Sequence, residues 1–72
     1  MEYIIRLSWD HDASVWIATS EDIPGLVLES GSFDALLQRV RFAVPELLSL
    51  NCSEKKTLTL HFLSDHIERI FG

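Results

Sequence analysis

Only one cysteine, Cys52, occurs in these 72 residues, so no disulfide can form within the chain. Basic side chains are few, six Lys and Arg against eleven Asp and Glu, for a formal charge of −5. Nucleic-acid binding draws on Lys and Arg to neutralise phosphates, so this balance argues against RNA or DNA as the direct target. The same charge either suits a basic protein partner or merely maintains solubility. No apolar run approaches the ~18 residues of a membrane span, and Met1-Glu2-Tyr3-Ile4-Ile5-Arg6 lacks the basic start and apolar stretch of a signal peptide. A cytoplasmic, membrane-free protein is expected. Repeats, linkers and low-complexity tracts are also missing.

What is present is a small apolar-rich domain. Hydrophobic residues make up 47% of the chain, too many for a disordered segment, yet 72 residues lie near the lower limit for a self-sufficient core. A single domain that leans on a second copy, a homodimer or higher homo-oligomer, is therefore expected.

Residues 3–9 alternate, with Tyr3, Ile5, Leu7 and Trp9 on one side and Ile4, Arg6 and Ser8 on the other, the period of a strand. A polar turn, Asp10-His11-Asp12-Ala13-Ser14, leads to a second strand at Val15–Thr19. Placing Trp9 opposite Val15 puts Val15 and Ile17 on the Trp9 face; a one-residue slip reverses that choice. Asp22-Ile23-Pro24-Gly25 reads as a type II turn, with Pro24 presetting φ and Gly25 supplying the positive φ. A third strand follows at about Leu26–Ser30. Ser32 is a candidate N-cap with Asp34 in the first helical turn. Phe33, Leu36, Leu37, Val40, Val44, Leu47 and Leu48 then recur at three- and four-residue steps, predicting a helix that lies on the sheet and stops near Asn51. Pro45 lacks the N–H that would bond Arg41, so a kink or break is expected there. Thr57–Leu63 alternates as a fourth strand, and 64–71 has room for one or two helical turns. The predicted class is α+β: an antiparallel β-β-β-α-β sheet with one helix across one face.

Four segments, Trp9-Asp10 with Val15-Trp16-Ile17-Ala18, Ser20-Glu21-Asp22-Ile23-Pro24-Gly25-Leu26, Gly31-Ser32-Phe33-Asp34-Ala35-Leu36, and Val44-Pro45-Glu46-Leu47-Leu48 with Asn51, together resemble the HicB antitoxin family. The likeness is closest to a short branch catalogued as a domain of unknown function. The resemblance implies a truncated ribonuclease H-like fold without a nuclease site. It further implies a partner, a small basic HicA-type toxin that cleaves mRNA and whose active face this module would occlude. Many family members continue into a DNA-binding domain; with so few residues after the fourth strand, operator binding by this chain alone is not expected.

The candidate site residues carry no catalytic signature. Asp10 and Asp12 fall in one turn and Glu21 and Asp22 in another, at opposite ends of the second strand, so they are not expected to converge on metal ions. His11, His61 and His66 lack zinc-ligand spacing, and neither Cys52 nor Ser53 has an activating His–Asp arrangement. No cofactor, metal or enzymatic role is expected. Solvated turns or contact with a basic partner are the two readings of Glu21 and Asp22. Phe42 falls ~180° from the helix stripe, as a tolerated exposed aromatic, a ring buried by a Pro45 kink, or an interface anchor. Trp16 and Ile4 are placed on the back of the sheet, where two exposed apolar groups would suit association. Trp16, Glu21, Asp22 and Phe42 are thus the expected partner-binding residues. A self-associating domain with an unrelated protein partner is the competing functional reading, and an RNA-acting protein the least favoured.

Overall fold

The computed structural model describes residues 2–48, 57–65 and 70–71. Four strands and a helix follow in the order β1 (Glu2–Asp10), β2 (Val15–Thr19), β3 (Val27–Ser30), α1 (Phe33–Leu47) and β4 (Thr59–Asp65). They build one sheet in the order β3-β2-β1-β4, with α1 packed over β2 and β3.

The sheet is mixed, which corrects the antiparallel expectation. β1 pairs antiparallel with β2, and β2 with β3, but β4 runs parallel to β1. Each successive element reverses the chain direction, so the fifth runs the same way as the first. β4 could be antiparallel only beside β2, and both flanks of β2 are already taken. The helix supplies the crossover that a parallel pair requires.

Register is the second correction. Trp9 lies opposite Trp16, and Asp10 opposite Val15, the one-residue slip that reverses the faces of β2. Trp16 and Ala18 therefore join Ile5, Leu7 and Trp9 beneath the helix, while Val15 and Ile17 turn to the back. Asp10 sets this register by closing the hairpin: its Oδ1 accepts from the Asp12 and Ala13 N–H groups at 3.1 and 3.2 Å, an Asx turn.

The core comprises Ile5, Leu7, Ala18, Ile23, Leu26, Leu36, Val40 and Val44, each at most 2% exposed. Leu36, Val40 and Val44 are the buried line of α1; Leu37 is only partly buried and Leu47 is exposed, so the stripe is narrower than its sequence period suggests. Ser32 caps α1 as expected, its Oγ accepting from Ala35 N–H at 3.3 Å. The helix passes through Pro45 and ends at Leu47, with Leu48 as its C-cap. So near the end, few turns remain for the missing N–H to disrupt; the stop expected at Asn51 lies outside the described residues. β3 begins one residue later than expected. β4 begins two residues later and takes in Ser64 and Asp65, so no helix starts at Ser64; residues 66–69 lie outside the described set.

The Pro-Gly turn has the anticipated geometry. Leu26 N–H donates to the Ile23 carbonyl at 3.3 Å, and Gly25 sits at φ 85°, position i+2 of a type II turn. A Cβ there would meet Leu47 at an ordinary 3.7 Å, so the strain of a substitution would be in the backbone.

Two stability measurements check this packing. Leu36→Ala removes a fully buried side chain against the sheet and should cost about 2–5 kcal/mol, whereas Phe42→Ala, on the outer side of α1, should change the melt little. Gly25→Val should cost about 1 kcal/mol or more from the left-handed φ alone; urea midpoints equal to the parent's would rule the turn geometry out.

Candidate functional site

β1 is longer than β2 can pair, and the chain solves this with side chains. Past the Arg6–Thr19 pair the backbone of Ile4 has no strand beside it on the β2 side. Ser20 Oγ donates to the Ile4 carbonyl at 2.6 Å, and Asp22 Oδ2 accepts from the Ile4 N–H at 2.8 Å. Ser20 Oγ also accepts from the Asp22 N–H at 3.1 Å. Two side chains thus imitate the missing strand and anchor the Pro-Gly turn against β1. Asp22, expected either as a solvated acid or as a contact for a basic partner, has its carboxylate in this structural bond. Glu21 beside it is exposed and makes no described hydrogen bond or ion pair.

No described element covers the face of the sheet away from α1. Strand alternation places Ile4, Arg6, Ile17, Val27, Glu29, His61 and Leu63 there; Ile4, Leu63 and Val27 are 43, 47 and 70% exposed. At one end a groove of about 280 Å³ is lined by Glu2, Ile4, Asp22, His61 and Leu63. Its floor is the aliphatic pair and its rim is the two carboxylates. His61 Nε2 donates to Glu2 Oε1 at 3.1 Å across β1 and β4. Arg6 and Glu21 continue the surface beside it, with Ile4 and Asp22, around a smaller hollow of about 50 Å³.

The expected site residues do not form one patch. Trp16 is not on the back of the sheet: it stacks edge-to-face between Trp9 and Phe33, at centroid distances of 5.4 and 4.9 Å, under the start of α1. The register reversal moved it there and brought Ile17 out in its place. Phe42 is 72% exposed on the outer side of α1, so no kink buries it, but the thickness of the domain separates it from the back face. Only Ile4, Glu21 and Asp22 lie together. Leu63, Val27 and Ile17 were not singled out from the sequence, because their exposure depends on strand order and register; the odd-numbered alternation of β4 was the available signal for Leu63.

Among the described residues, no group of three or more His, Cys, Asp or Glu side chains is arranged to hold a metal ion, and no polar side chain is buried. No described helix is long and apolar enough to cross a membrane.

If the Ser20–Asp22–Ile4 cluster holds the turn, Ser20→Ala and Asp22→Ala should each lower stability by about 1 kcal/mol. The double variant should lose less than the sum, because both side chains serve the same residue and bond each other. A chemical-denaturation double-mutant cycle reads this directly, and strict additivity would show the bonds to be independent.

Among solved structures, the chain is similar to a hypothetical protein, TTHA1013, of the extremely thermophilic bacterium Thermus thermophilus. The TM-score is 0.79 and the identity 30%, and the alignment covers 97% of this chain and 100% of that one. No curated protein matches the sequence. The family model for the domain of unknown function DUF1902 matches residues 2–71, essentially the whole chain, and the protein belongs to that family.

Proposed function

We propose that this chain is a HicB-like antitoxin-type binding protein, not an enzyme, whose partner is a small basic mRNA-cleaving toxin of the HicA type. The observation that carries the reading is the groove on the open sheet face. A lysine or arginine from a partner has an aliphatic stem and a cationic tip, and the groove offers Ile4 and Leu63 as floor with Glu2 and Asp22 as rim. Glu21 and Glu29 extend the acidic surround, and a net charge of −5 favours encounter with a basic protein. The four sequence segments that resemble HicB supply the identity of the partner. Occlusion needs no catalytic groups, only a surface that covers the toxin's active face. Ile4 and Glu21 are the contact residues this geometry favours, whereas Phe42 faces the other way and Trp16 supports the fold.

Binding kinetics against a HicA-type toxin at two ionic strengths test the proposal. Glu21→Lys, which leaves the Ile4 cap intact, should slow association and flatten its salt dependence. Ile4→Ala should instead speed dissociation, at a cost of about 2 kcal/mol if it anchors the contact. Faster dissociation of Phe42→Ala alone would move the interface to the helix, and failure of the parent to bind or neutralise such a toxin would overturn the antitoxin reading.

A further inference from the structure

The two edges of the sheet are finished differently. β3 is four residues long, and Arg39 of α1 reaches over to donate from Nη1 to the Glu29 carbonyl at 2.9 Å. A short strand with an occupied carbonyl offers little to a further strand. β4 is seven residues, Thr59-Leu60-His61-Phe62-Leu63-Ser64-Asp65, without proline, glycine or lysine to blunt it. Ile4 directs its N–H and C=O to the β2 side, so the odd-numbered residues of β1 face β4. In the parallel register of Tyr3 with Leu60, the residues that bond back are then Thr59, His61 and Leu63. The N–H and C=O groups of Leu60, Phe62 and Ser64 point outward, and no described residue bonds to them.

The helix leaves the same edge uncovered above. α1 packs on β2 and β3, and Tyr3, Leu60 and Phe62, on the helix side of β1 and β4, are only partly buried, as is Leu58 just before β4. A strand edge that no described residue pairs with, beside a half-covered apolar strip, is what one half of a strand-paired dimer presents.

The geometry points to a second copy of this chain as the occupant, joined through antiparallel β4–β4 pairing about a two-fold axis at Phe62. That register is self-complementary: Phe62 meets Phe62, Leu60 meets Ser64, His61 meets Leu63, and Thr59 meets Asp65, so no like charges are set opposite. The apolar strips of the two copies become contiguous between their helices. Glu29 lies on β3 at the opposite edge of each sheet, and Asp22 lies beyond β1 from the axis, bonded to Ile4, which limits repulsion between two chains of charge −5. The pairing does not depend on the identity of the toxin partner. It joins the copies edge to edge and leaves the open sheet faces free.

Sedimentation equilibrium of the full chain should give twice the 8.2 kDa chain mass at micromolar concentration. Ser64→Pro removes one outward N–H in each copy and leaves the bonds to β1 in place, so it should raise the dimer dissociation constant about tenfold or more. Val27→Lys, at the opposite edge, should not alter it. Amide hydrogen exchange on the unmodified chain gives an independent readout: the Leu60, Phe62 and Ser64 N–H groups should be protected when concentrated and lose protection on dilution. A monomeric parent, an unchanged dissociation constant for a folded Ser64→Pro variant, or unprotected amides in the dimer would each overturn the proposal.

Discussion

Trp9 faces Trp16 across the β1–β2 pair, and the rest of the domain depends on that register. A strand has two faces, and moving the pairing by one residue exchanges them. With Trp16 and Ala18 turned inward, β2 presents a large ring at one end and a small residue in the middle. Leu36, Val40 and Val44 of α1 settle into that relief, and Phe33 closes it against Trp16 at 4.9 Å. Had Val15 and Ile17 turned inward, Trp16 would have been left in solvent and the start of the helix would have lost its ring contact. The Asx turn at Asp10 is a local device that holds this long-range choice.

The position of the helix follows from the same layer. α1 leaves β3 and returns the chain toward β4 at the opposite edge, so it lies over the β3–β2 half of the sheet. The core is accordingly one-sided: Ile5, Leu7 and Ala18 are sealed, while Leu60 and Phe62 of β4 are only partly covered. A domain of this size has little interior to spare. Among the described residues, the apolar surfaces of the sheet that α1 does not cover are the strip beside β4 and the back of the sheet. Glu2, Glu21, Asp22 and Glu29 lie around the second of these. That difference is why one surface is proposed for a basic partner and the other for a copy of the same chain.

The turn between β2 and β3 sets a structural acid beside a surface one. Ser20 and Asp22 complete the hydrogen bonding of β1 where β2 runs out, and Gly25, at φ 85°, then turns the chain back toward β3. The acid beside them, Glu21, needs no such bond and projects outward. Two adjacent carboxylates that look alike in the sequence therefore have different work, one inside the hydrogen-bonding frame and one on the surface.

Local chemistry alone determined the elements: strand alternation in residues 3–9, the Pro24-Gly25 turn, the Ser32 cap and the Leu36–Val40–Val44 line are each set by residues within a few positions of one another. The place of Phe42 opposite the apolar stripe was likewise legible, because helical phase is a local property, whereas its exposure depended on the helix passing through Pro45 without burying the ring. Tertiary structure decided which way β2 faces, that β4 lies beside β1 and runs parallel to it, and that Asp22 bonds Ile4 eighteen residues away. It also decided that Ile17, Val27 and Leu63 share a surface with Ile4. These are relations between segments. Each segment satisfies its own periodicity in either register and either strand order, and only the joint burial of β1, β2 and α1 selects between them.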